Sequence, residues 1–406
     1  MNAHKPDGWL VIASGFFLLN ILNLALWSIH GYVSSYLYLA GALVFVVYSL
    51  RHLDRSWAVL CLFLLFSVII LGGPVSDWDA RSIWFFHAKR IFIDDNLYAQ
   101  LDNYAPWSHN DYPILVPAIA ASLAKSVGYW NEVFPRLSVL CVLLPVFLVF
   151  RLLLLRNDYF HLWLMGVLLL SRSLLLNGYM DAILALYFSA ASLLLIGIYL
   201  NGDASPKINY ILLGVMVATL PLIKNEGLLA SMLILAALVP RMKKEIGKCA
   251  LVGLAIIPYG VLWKYQVHLH RIPTDLFTTG ILQRGISRLT QPDDLILITK
   301  YFLKNSGIYV LLLGILLIGF VEKKRAWMPT VFFVFLYGTA ILFIYLITPM
   351  DLQWHLTTSA DRTFMAVNLS IFSLGIYYFA DPARKPMGEV ISGFFPKETS
   401  KKDLIP

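Results

Sequence analysis

The chain reads as an all-α polytopic membrane protein with about twelve transmembrane helices and no soluble domain. Three observations predict this. Hydrophobic residues make up 59% of the 406 and charged residues 14%, whereas a soluble domain carries about 25% charged residues because it must meet water. Apolar stretches near the roughly twenty residues needed to cross hydrocarbon recur along the chain. The net charge of +8 falls on one side of those stretches, as the positive-inside rule requires. A mean hydropathy of +0.72 also excludes intrinsic disorder, which needs low hydrophobicity and high charge. Cys61, Cys141 and Cys249 all sit in apolar runs, a placement that suits neither a disulfide framework nor a cysteine-ligated zinc.

Taken in order, the spans are predicted at 9–28, 33–50, 57–73, 134–150, 160–177, 181–199, 208–223, 227–240, 249–267, 301–320, 327–348 and 363–380. Residues 1–56 thus hold extra N-terminal helices, 57–380 the main module and 381–406 a basic tail. The first span follows Lys5 and has no small-residue cleavage site behind it, so it is expected to remain as an anchor. Segment 113–127 contains Pro113, Pro117 and Lys125 and is expected to lie in the membrane interface rather than cross. With it left out, one face collects 18 of the 32 basic residues but 10 of the 24 acidic ones. That face is cytoplasmic, and both termini are expected there, in a cell (inner) membrane. Counting 113–127 as a crossing would put the Arg241–Lys248 and Lys323–Arg325 clusters outside. Basic loops beside anionic lipid explain a pI near 9.2 without nucleic acid.

The cytoplasmic connections are short, and no G-x-x-x-x-G-K-[ST] phosphate loop occurs, so ATP-driven work has no site there. Polar mass gathers instead in outer loops at 74–133, 268–300 and 349–362, and long loops in compact proteins tend to be functional. In 79–92, Trp84, Phe85, Ala88, Ile91 and Phe92 recur at helical spacing against Arg81, Lys89 and Arg90, which predicts an amphipathic helix lying on the membrane. Asp77 and Asp79 open it. One reading is a helix cap and a dipole partner; the other is a site, flanked by Trp78 and Trp84. Loop 74–133 also holds Trp107 and Trp130, so 4 of the 11 tryptophans lie in it, suiting interfacial anchoring or stacking on sugar faces. Asp181, at the outer end of a span, Lys224-Asn225-Glu226-Gly227 between two short spans, and Asp351-Leu352-Gln353-Trp354-His355 with Asp361-Arg362 complete the set. Ionisable groups near membrane depth are costly and are functional candidates by default. Lys224 ending one helix and Glu226 opening the next also match the helix dipoles. His87, His109 and His355 lack the spacing of a histidine metal site.

This order resembles the GT-C superfamily of membrane glycosyltransferases: Asp77 and Asp79, then His87-Ala88-Lys89-Arg90, Tyr112-Pro113-x-Leu115-x-Pro117, Tyr179-Met180-Asp181 and Lys224-Asn225-Glu226-Gly227. It is most similar to bacterial transferases akin to protein O-mannosyltransferase and to the enzyme that adds aminoarabinose to lipid A. The likeness covers most of 57–380. It departs from the family in three ways: the acidic loop follows the third span rather than the first, Asp77-Trp78-Asp79 replaces the usual Asp-Glu pair, and the large C-terminal domain of some members is missing.

The resemblance implies an inverting transfer of a sugar from a polyprenyl-phosphate carrier to the hydroxyl of a glycan, lipid or protein acceptor, outside the cytoplasm. Asp79 is then expected as the base, with Asp77 as its substitute or as a sugar-orienting partner. Lys224 and Arg362, ahead of Lys89 and Arg90, are expected at the phosphate, with Asp181, Glu226 and His355 on sugar hydroxyls. Asp111, Tyr112, Trp354 and Asp361 are further substrate-binding candidates. A divalent cation held by Asp77 and Asp79 is an alternative to basic residues, although no metal ligand is assigned. Two other functions fit the same chain: a flippase for a lipid-linked saccharide, which would line its path with mid-membrane charges, and an envelope polysaccharide ligase or polymerase.

Overall fold

A computed structural model describes residues 8–154, 157–274, 279–305 and 324–380. Every regular element among the described residues is helical, and five stretches are long and apolar enough to cross a membrane: Gly8–Trp27, Phe134–Leu153, Asp181–Asn201, Glu226–Leu269 and Pro329–Ile347. Shorter apolar helices include Ser35–Arg51, Ser56–Leu71 and Lys207–Ile223. Most of the expected 301–320 span, the Lys323 end of one basic cluster and the 381–406 tail lie outside the described residues.

We label the helices α1 (Gly8–Trp27), α2 (Ser35–Arg51), α3 (Leu53–Leu71), α4 (Phe85–Asp94), α5 (Leu115–Val127), α6 (Ser138–Leu153), α7 (Asn157–Ser171), α8 (Asp181–Asn201), α9 (Lys207–Ile223) and α10 (Glu226–Leu254). The helical run Ile257–Tyr259, Gly260–Lys264 and Tyr265–Leu269 is α11, Ile281–Thr290 is α12, and 292–305 is α13. Lys324–Ile347, Leu352–Thr363 and Met365–Ala380 are α14, α15 and α16.

α8 is the hub. It is apolar all round, and every side chain from Asp181 to Ile198 is buried, as expected of a helix enclosed by others. Small residues let neighbours approach: Ser189 bonds Ser370 of α16 at 3.2 Å, a packing mode common where no water drives association. Tyr187 donates to the Val142 carbonyl of α6 at 2.9 Å, and Phe188 stacks on Phe333 of α14.

The long Glu226–Leu269 stretch does not run straight. Glu245 has non-helical backbone (φ −135°, ψ 43°), and the chain turns back there. Asn225, just before α10, bonds the Asp111 carboxylate at 3.0 Å. Trp263, on the returning arm, donates to the Asp111 carbonyl at 3.2 Å. The two ends therefore meet while Glu245 reaches Tyr210 near the start of α9, in keeping with separate segments at 227–240 and 249–267.

Two expectations for the first loop need correction. α5 begins beside Asp111, and its partners are the end of α1 and the start of α2: Trp27 donates to Ser122 at 2.7 Å, and the Ser35 amide to Ser126 at 2.8 Å. The chain is back at the C-terminal end of α3 by Arg136, which donates to the Ile70 and Gly73 carbonyls. α5 thus enters and leaves at one pole, yet Leu115–Ala124 are buried in protein rather than laid in the interface. α4 differs likewise. Its Phe85, Ala88 and Ile91 are buried and α4 packs on α5, so its apolar stripe faces protein and not lipid. The same bonds from Trp27 and Ser35 make the end of α1 and the start of α2 part of the support for this loop.

Candidate functional site

At the pole where α8 begins and α9 ends lies a cavity of about 850 Å³, within the usual range of ligand pockets. Two glycines fix the turns that carry its lining residues. Gly178 takes a left-handed turn (φ +88°), and a Cβ there would stand 2.9 Å from Ala80 and Phe85; this brings Tyr179–Asp181 against the start of α4. At Gly227 a Cβ would fall 1.9 Å from the Leu220 carbonyl oxygen, so only glycine permits the tight α9–α10 reversal that carries Lys224 and Glu226.

Along one wall the ionised groups form a chain. Asp79 accepts from Arg362 at 2.5 Å, and the same Arg362 nitrogen lies 3.7 Å from Asp181. Asp181 is paired with Lys224 at 2.8 Å, and Lys224 with Glu226 at 2.9 Å. Arg362 also sits over the Tyr179 ring, 4.6 Å from its centroid. Asp181 and Lys224 are 5% and 10% exposed, so their attraction acts in a poorly screened setting. Burial alone would pull the Lys224 ammonium down, but Asp181 and Glu226 reverse this and hold it well above its ordinary range. Arg362 is likewise raised, with Asp181 and Asp79 overcoming burial. Both cations stay charged.

Asp79 lies in helical backbone just before a π-type turn and makes no side-chain cap bond; its carboxylate is used on Arg362 instead. Asp77 gives its carbonyl to the Arg81 amide, and its carboxylate makes no hydrogen bond or ion pair among the described residues. The capping reading of the pair therefore does not describe these side chains. Asp111 and Asn225 bind each other, and Tyr112 lies between the rings of Trp84 and His109. Asp351 caps α15 through the Trp354 amide at 2.8 Å, which places Trp354, His355, Asp361 and Arg362 on one short helix. Burial, followed by Lys224, Arg288 and Arg362, pushes His355 down to about 4, leaving it neutral. Its Nδ1 is buried without a hydrogen-bond partner.

Asp77, Asp79, Asp111, Tyr112, Asp181, Lys224, Glu226, Trp354, His355, Asp361 and Arg362 all line this cavity. Lys89 and Arg90 do not. Lys89 pairs with Glu132 at 2.9 Å on the exposed side of α4, and Arg90 with Asp94 at 2.7 Å. Three cations stand outside the site set expected from the sequence, in which Lys264 figures only as a charge at mid-membrane depth. Arg172 and Lys264 line the cavity and make no ion pair among the described residues. Arg136 is buried, donates also to the Leu176 carbonyl at 2.8 Å, and holds the exit of α3 that leads to Asp77. Arg172 stands in left-handed backbone (φ +51°), where a non-glycine residue is uncommon. Among the described residues no three His, Cys, Asp or Glu side chains converge on a metal position. Comparison with protein-family models, characterised proteins and solved structures finds no match.

Proposed function

We propose that this chain transfers a sugar from a polyprenyl-phosphate carrier to an acceptor hydroxyl, in the cavity at the outer pole and with inversion at C1. The observation that carries the reading is the Asp79–Arg362–Asp181–Lys224–Glu226 chain along a wall of that cavity. Such a transfer needs a carboxylate to take the acceptor proton as the hydroxyl oxygen attacks C1. It also needs cations aimed at the phosphate oxygens, which receive the electron pair of the breaking C1–O bond.

Asp79 remains the base in this reading, oriented by Arg362, with Asp77 beside it to take a sugar hydroxyl or to substitute. Lys224 is already neutralised by Asp181 and Glu226, which makes it a better organiser of those carboxylates than a phosphate ligand. The phosphate falls instead to Arg172 and Lys264, the cavity cations that make no ion pair among the described residues. Neutral His355, beside Trp354 and Tyr345, offers a hydrogen-bonding ring to a sugar hydroxyl. The exposed Trp78 and Trp354 offer faces for stacking.

The test uses purified protein in vesicles with radiolabelled polyprenyl-phosphate sugar. Loss of label from the carrier lipid, dependent on an added acceptor and abolished by Asp79→Asn, supports transfer. Movement of intact lipid-linked sugar between leaflets, with no ester cleaved, supports a flippase and ends this reading.

A further inference from the structure

α12 has three faces, and they do not mix. At about 100° per residue, Leu282, Ile286 and Leu289 share one side and are 78%, 62% and 53% exposed. Gln283, Ser287 and Thr290 share the next side and are also exposed. Arg284, Gly285 and Arg288 share the third, which is turned to the protein. Arg284 donates to the Ile347 carbonyl at 3.0 Å, and Arg288 to those of Tyr345 and Met350 at 2.8 and 3.1 Å. Gly285 lets the helix approach Ile347 closely: a Cβ there would already touch its Cγ2 at 3.5 Å.

The polarity is inverted for a helix in water, with arginines inward and leucines outward. The inward arginines have a clear role, because they satisfy carbonyls at the C-terminus of α14 that have no partner within that helix and meet the negative end of its dipole. Among the described residues, nothing covers the outward Leu282, Ile286 and Leu289. On α14 the exposed apolar surface continues through Phe343 and Phe335, one and three turns before Ile347. A helix with one apolar, one polar and one protein-bound side fits a boundary where hydrocarbon, water and protein meet.

We infer that α12 lies in the membrane interface at the cavity pole, with Leu282, Ile286 and Leu289 seated in the lipid acyl layer. Through Arg284 and Arg288 it fastens the cavity wall at Tyr345 and Met350 to the bilayer. This places part of the 268–300 loop in lipid rather than water, and it holds whether or not the protein transfers sugar.

Collision accessibility of nitroxide labels tests it with no donor substrate. In a Cys61→Ala background, where Cys141 and Cys249 are buried, Ile286→Cys and Gln283→Cys are labelled and reconstituted in phosphatidylcholine–phosphatidylglycerol vesicles. Both sites are exposed, so neither label disturbs packing. The label at 286 should collide with oxygen several-fold more than with a water-soluble nickel chelate, and the label at 283 should show the reverse preference. Nickel access at both sites would overturn the inference by placing α12 in water. Shielding of 286 from both reagents would overturn it by showing a protein partner on that face.

Discussion

Among the described residues an ionic network stands at each end of the α9–α10 hairpin, and of these two the one with Lys224 lines the cavity. At the Glu245 turn, Arg241 and Lys248 reach Glu245 at 2.5 and 2.6 Å, and Arg241 and Lys244 reach Asp203 at 3.2 and 3.1 Å. Tyr210 adds a hydrogen bond. Most of these partners are three or four residues apart or lie on adjacent helix ends, and together they clamp a tight reversal. At the other pole, Asp79, Asp181, Lys224 with Glu226, and Arg362 come from four separated segments and meet on the wall of open space. The contrast teaches that buried charge is not itself a sign of chemistry. A network that local geometry fully uses is structural; one assembled from distant segments, with room beside it, is available to a substrate.

The largest expected effect is at the cavity network. Asp79→Asn should lower the initial transfer rate by roughly 10²–10⁴-fold, the usual contribution of a general base, with an unchanged elution profile. Should the rate hold, the same measurement on Asp77→Asn decides whether the neighbouring carboxylate takes the role. Lys224→Met should cost about 3–5 kcal/mol, because it strips the main partner from a buried Asp181. Thermal unfolding in detergent would register this as a lower midpoint. Adding Asp181→Asn should restore part of the midpoint and none of the transfer. If transfer returned with stability, the network would be only structural, like its counterpart.

At the opposite pole the pattern should reverse. Glu245→Gln weakens the hold on Arg241, Lys248 and Tyr210 and should destabilise by about 1–3 kcal/mol, leaving transfer per folded molecule unchanged. The smallest effect expected is one of pH. His355 and His87 are held down to about 4 and about 3, chiefly by burial, against an ordinary value of 6.5. The unfolded chain therefore takes up protons first, so stability is full above pH 6.5 and declines as pH falls toward 4. Unfolding midpoints across that window should fall less steeply in His355→Gln, with the remainder owed to His87.

Much of the cavity pole was legible from residue type and position. Asp77, Asp79, Asp181, Lys224, Glu226 and Arg362 stand beside apolar stretches where an ionised group is expensive, and that cost marks them without knowledge of the fold. Placing 113–127 off the list of crossings rests on charge on the loops; in the fold α5 bonds the end of α1 and the start of α2, and Arg136 beyond it bonds the end of α3. What the sequence hid was the partner of each amphipathic stripe. α4 and α12 both alternate apolar and basic residues, yet α4 turns its apolar side to α5 while α12 turns its arginines inward to the carbonyls closing α14. Periodicity tells which residues share a face, not what covers it. Lys89 and Arg90 were misjudged for that reason: they lie on the face that α4 turns away from the cavity. Arg172 was missed because its segment carries no recognisable motif, Lys264 stood out only as a charge inside an apolar stretch, and Arg136 was missed because a single arginine at a span end looks like an ordinary flank.

The central claim is that the outer cavity, and not the Glu245 pole, receives a lipid-linked sugar. A structure with a non-cleavable phosphonate analogue of a polyprenyl-phosphate sugar tests it directly. The sugar should lie against Asp79 and Asp77, with the phosphonate oxygens on Arg172 and Lys264. An analogue bound outside this cavity, with Asp79 and Arg362 untouched, would contradict the account.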